Sequence, residues 1–88
     1  MALKGLRPEI QIFAGAMEER LRANDYQGHG NDGNVLGYLF PRLIEEIGEL
    51  GKQLTMHGGA DTRVTLRRAA DAANLVMMIA GACGALTH

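Results

Sequence analysis

The chain contains no tryptophan, one cysteine, two prolines, two phenylalanines and two tyrosines in 88 residues. The lone Cys83 excludes an internal disulfide and any cysteine-rich metal site. Lying in an apolar run, it reads as a packed, reduced thiol. The three histidines are too scattered for a zinc motif. Charge is nearly balanced, with nine Lys+Arg against ten Asp+Glu and a net charge of -1, so no basic field argues for a nucleic acid polymer as partner. The longest apolar run, "AANLVMMIAGACGAL" at 72 to 86, is shorter than the ~20 residues a membrane span needs. No charged-then-apolar leader opens the chain. The expectation is a soluble, cytoplasmic protein with no membrane partner.

Eighty-eight residues make one small domain, spanning 1–88. A chain this short buries a modest share of its surface, and oligomerisation often completes such a core. Pro8 and Glu9 suit the first turn of a helix, where the missing N–H costs little and the negative charge meets the positive dipole end. Ile10, Phe13, Ala14, Met17 and Leu21 then recur at helical spacing to about Ala23. "NDYQGHGNDGN" reads as a loop. Its Gly28, Gly30 and Gly33 do not make a P-loop, because no G-K-[ST] follows and no strand precedes.

A second helical pattern uses Leu36, Leu39, Phe40, Leu43, Ile47, Leu50 and Leu54. Pro41 interrupts it, which predicts a separate turn or a kink, with the regular helix running from about Pro41. Gly58 and Gly59 end this helix, and Asp61 is an N-cap for a third, over roughly 62 to 86. That third helix begins polar and turns apolar all round, so it must be buried on most sides. Two companion helices cannot surround it well. With no strand alternation and no repeat, the fold class is all-α: a three-helix protomer completing a helical bundle by dimerisation or tetramerisation.

The stretch "LIEEIGEL" sets Glu45, Glu46 and Glu49 within five positions of an apolar run. At ~100° per residue, the apolar stripe of this helix centres between Leu50 and Ile47. Glu46 then lies at its edge, Glu49 a little further round, and Glu45 nearly opposite, facing water. Glu46 and Glu49, three apart, can point together into the groove between helices. No Lys or Arg lies four residues after Glu46. A solvated face is one explanation of the cluster; a hard divalent cation is the other.

The matching acid is Asp71, set among alanines where the third helix turns apolar, with Asn74 one turn later on the same face. A carboxylate there needs a partner, since burying it alone is costly. Arg67 and Arg68 offer a salt bridge; Glu46 and Glu49 offer a shared cation across facing helices. Lys52 can reach a phosphate or face solvent, and Asn24 can contact a sugar or base or cap the first helix. The five methionines read as core packing.

"RLIEEIGELGKQL" followed by "ADAANLVMMIA" resembles the MazG-like nucleotide pyrophosphohydrolases, a branch of the all-α NTP pyrophosphatase superfamily. "FAGAMEERLRANDYQG" looks like the first helix and loop of its short phage and bacterial members, so the likeness runs from about Ile12 to Ala80. The resemblance implies hydrolysis of a nucleoside triphosphate, NTP or dNTP, to monophosphate and pyrophosphate by a homodimer or homotetramer. It also implies Mg²⁺, or alternatively Mn²⁺, on an E-x-x-E pair and an E-x-x-D pair. Glu46 and Glu49 match the first pair and Asp71 the aspartate of the second; Glu45 is the lesser candidate ligand. Asn24, Lys52, Arg68 and Asn74 would support substrate.

Two positions depart from the family pattern. Arg68 stands where the glutamate of E-x-x-D is expected, which removes a ligand and supplies a charge that suits phosphate oxygens. The lysine and tryptophan that many relatives carry after the first helix are absent; Gln27 stands there, leaving Tyr26, His29 or Tyr38 to stack on a base. The alternative reading is therefore a degenerate, non-catalytic member that binds nucleotide or only a partner chain.

Overall fold

A computed structural model describes residues 5–24 and 35–86. The expected loop and its Tyr26, Gln27, His29 and three glycines lie outside the described residues. Three helices account for most of the described chain: α1, Pro8–Asn24, α2, Val35–His57, and α3, Thr62–Ala82. No strand occurs among the described residues. None of their helices is long and apolar enough to cross a membrane.

α3 is the centre of the arrangement, with α1 packed against one side of it and α2 against another. Its buried residues are Ala70, Asp71, Asn74 and Leu75, two of them polar. Leu75 has no exposed surface and packs with Leu39 and Leu43 of α2, while Ala72, Met78 and Ile79 close the cluster. α1 lays its half-buried Phe13, Ala16, Met17, Arg20 and Leu21 on α3. These positions follow helical spacing, but Ala16 and Arg20 stand where Ile10 and Ala14 were expected. Ile10 is 46% exposed.

Local chemistry accounts for the helix ends. Asp61 caps α3 as expected, its carboxylate accepting from the Val64 N–H at 3.2 Å. α2 stops where Gly58 and Gly59 take φ of 60° and 73°, a region side chains disfavour. α3 ends at Ala82, four residues short of the expected position. There Gly84 adopts φ 83° and the Ala85 N–H reaches back to the Ala80 carbonyl at 2.9 Å, a Schellman closure. Cys83, just past the end, is an exposed free thiol, not the packed one expected.

Pro41 neither breaks α2 nor begins it; the helix runs through from Val35. The ring deprives only the Gly37 carbonyl of its partner, and both residues face solvent, where water can satisfy it. The buried side of α2 is also rotated from the expected stripe. Leu39, Leu43 and Glu46 are buried, whereas Ile47 is 51% exposed.

The core makes a quantitative prediction. Leu75→Ala should cost about 2–5 kcal/mol, the usual penalty for emptying a filled site, read by urea denaturation. Val76→Ala, on a half-exposed neighbour, should cost under about 1 kcal/mol. Equal costs would contradict the orientation of α3.

Candidate functional site

The expected site residues divide between two places. Glu45, Glu46 and Glu49 line an open cleft of about 490 Å³ on α2, together with Arg42, Lys52 and Arg68 of α3. Glu45 points to water as expected, its side chain 71% exposed. Glu46 is 7% exposed at the α2–α3 seam. Its Oε1 accepts from Arg42 Nη1 at 2.8 Å, while its Oε2 is buried with no hydrogen-bond partner. Glu49 is less enclosed and pairs with Lys52 at 3.4 Å.

The sequence offers no cation four residues after Glu46, and the one that meets it, Arg42, lies four residues before it. Carboxylate and guanidinium at that spacing meet on one helix face, and Arg42 also approaches Glu45 at 3.5 Å. The guanidinium fixes the Glu46 carboxylate and satisfies one oxygen. The other remains a buried acceptor facing no donor, a costly state that a bound cation or a protonated group would relieve.

Asp71 lies on the other side of α3 chemistry. It is 5% exposed and grips Arg20 of α1 through two bonds, Nε to Oδ1 at 2.9 Å and Nη2 to Oδ2 at 3.2 Å. Asn24 adds a longer contact, Nδ2 to Oδ1 at 3.4 Å. One turn on, the fully buried Asn74 donates from Nδ2 to the Met17 carbonyl at 3.0 Å. Asp71 thus has a partner, as its burial implied, and among the described arginines that partner is Arg20, not Arg67 or Arg68. Among the described residues no three His, Cys, Asp or Glu side chains gather closely enough to hold a metal ion.

Arg20 was the missed residue here. Its sequence signal is position: three after Met17 and seven after Phe13, it falls on the inward face of α1. A charge on an inward face demands a buried opposite charge.

The two kinds of ion pair should separate in stability. Arg20→Leu strands a buried carboxylate and should cost about 3–5 kcal/mol. Arg22→Leu breaks only the exposed Arg22–Glu18 pair and should cost under about 1 kcal/mol. Adding Asp71→Leu to Arg20→Leu should recover much of the first loss; no recovery in chemical denaturation would mean that the pair does not act as a unit. In the comparisons with known proteins, no family model, no curated protein and no solved structure matches the chain.

Proposed function

We propose that the protein is an Mg²⁺-dependent nucleoside triphosphate pyrophosphohydrolase, acting as a homodimer or homotetramer on an NTP or dNTP. The observation that carries this reading is Glu46: a buried carboxylate with one oxygen held by Arg42 and the other unsatisfied, in a cleft shared with Glu49, Lys52 and Arg68. The donor chemistry fits a hard cation, which takes carboxylate oxygens and retains waters of its own. Glu46 and Glu49 would hold it, with Glu45 as an outer neighbour. When bound, the ion would offset phosphate charge and activate a water.

The chain's own side chains supply the rest. Arg42 orients Glu46 by fixing one oxygen. Lys52 and Arg68, on the rim of the same cleft, carry the positive charge a triphosphate needs. Asp71 would join the ligand set only by exchanging Arg20 for a cation, and Asn74 and Asn24 would support it from the α1–α3 seam.

A second reading has its own observation. The bidentate Arg20–Asp71 pair occupies the carboxylate that the family resemblance assigns to metal, and Arg68 removes a further acid. This favours a degenerate member that binds nucleotide, or a partner chain, without hydrolysis.

Pyrophosphate release measured across all NTPs and dNTPs, with and without Mg²⁺, decides between them. The hydrolase reading expects Mg²⁺-dependent release that Glu46→Gln and Asp71→Asn abolish, with melting curves showing both variants folded. Glu45→Gln should retain most activity. Arg68→Glu should cost activity if the arginine meets phosphate, and raise it if the arginine displaces a cation. Absence of release from every triphosphate, with nucleotide still binding, would establish the degenerate member instead.

A further inference from the structure

α3 opens with two cations that the fold leaves unanswered. Arg63 and Arg67 stand one turn apart on its exposed side, where like charges repel. Arg20, Arg22 and Arg42 each meet a carboxylate at 2.8 to 3.2 Å, and Lys52 meets Glu49. Neither Arg63 nor Arg67 has such a partner among the described residues. Asp61, the nearest acid in the sequence, has its carboxylate engaged by the Val64 N–H at the start of the helix. Arg68, one residue further on, turns to the α2 cleft instead.

The two arginines line two adjoining hollows at once. One, of about 460 Å³, is bounded by Ala60, Asp61 and Thr62 at the start of α3. The other, of about 310 Å³, is a groove between α1 and α3 with Ile12, Ala16 and Leu66 as its apolar wall and Glu19 beside them. Ile12 is 65% exposed, so the protomer leaves part of that wall uncovered. We propose that this is a binding site for a small phosphomonoester dianion with an apolar body. The phosphate lies on Arg63 and Arg67, and the apolar body lies in the α1–α3 groove.

Charge and size select this class of ligand. A phosphomonoester carries about two negative charges near neutral pH, matching the two guanidiniums, whose N–H forks suit phosphate oxygens. Side chains one turn apart are about 5–6 Å apart at Cβ, close enough for both to converge on one phosphate group. A carboxylate, with a single charge, would leave one arginine unanswered. A polyanion fits worse, because Asp61 in one hollow and Glu19 in the other confine the positive charge to one spot. The apolar groove is at the lower end of the roughly 300–1,000 Å³ that small-ligand sites occupy, which suits a short alkyl group or a single ring. Phosphate binding here is separate from the α2 cleft and does not depend on hydrolysis there.

Titrating the full chain with inorganic phosphate, ethyl phosphate, butyl phosphate and pentanoate tests this, with binding followed by backbone amide resonances. Butyl phosphate should bind best, each added methylene tightening the complex by up to about fourfold. Pentanoate, of similar length but with one charge, should bind about tenfold more weakly or less. Arg63→Gln and Arg67→Gln should each weaken butyl phosphate about tenfold or more, through lost charge-assisted bonds, with helicity by circular dichroism unchanged. Glu19→Gln removes a like charge beside the anion and should tighten binding. Ile12→Ser should weaken butyl phosphate and leave inorganic phosphate unaffected. Absence of binding by butyl phosphate overturns the site, and so does binding that neither arginine change weakens. An affinity indifferent to both the alkyl chain and Ile12→Ser also overturns it, since the groove then holds no part of the ligand.

Discussion

The Arg20–Asp71 pair is the constraint on which the arrangement of the molecule depends. α1 contributes no buried residue of its own, and its inward face is a narrow set of half-buried side chains. Apolar contact of that kind orients a helix loosely, because small rotations cost little area. Two parallel hydrogen bonds from one guanidinium fix both rotation and height. Asn74, bonded to the Met17 carbonyl, fixes the same pair of helices one turn away. The polar groups therefore specify register more than they add stability, since desolvation of a buried pair offsets much of its attraction.

The same economy governs the seam between α2 and α3. Leu39, Leu43 and Leu75 supply its apolar contact, and Glu46 continues the line of buried positions with a carboxylate. A leucine there would extend the core. The glutamate costs burial of a charge, and Arg42 answers only one of its oxygens. Thus the two buried acids among the described residues differ in kind. Asp71 has both oxygens engaged by protein donors, whereas Glu46 has one oxygen left over. At the α1–α3 seam the unmatched acceptor is instead the neutral amide oxygen of Asn74, a weaker draw for a cation than a carboxylate oxygen.

Much of this was legible in the sequence, for identifiable reasons. Helix existence, the Asp61 cap and the Gly58–Gly59 stop follow from local rules that tertiary contacts did not override. Placing Glu46 at the edge of the buried face and Glu45 in water needed only the 100° rotation per residue. The failures came where several weak signals competed. Pro41 signals a break, yet its exposed position makes the missing bond tolerable. Apolar spacing centres the α2 stripe between Leu50 and Ile47 because Leu and Ile lie on both its apolar faces, and periodicity cannot tell which one meets α3. Partner choice for Asp71 was beyond sequence spacing: Arg20 is 51 residues away, and only the packing of α1 on α3 brings them together.

That second apolar face also explains why so short a chain keeps so few residues fully buried. Among the described residues the buried apolar side chains are Leu39, Leu43, Ala70 and Leu75, a core that is small against the conformational entropy of ordering three helices. α2 has one apolar face on its own protomer and another facing outward, so only part of its hydrophobic surface contributes to folding of the single chain. The charged side of α2 is set apart from both its buried face and its exposed apolar one. The acidic cleft lies there, open to solvent and outside the apolar contact with α3.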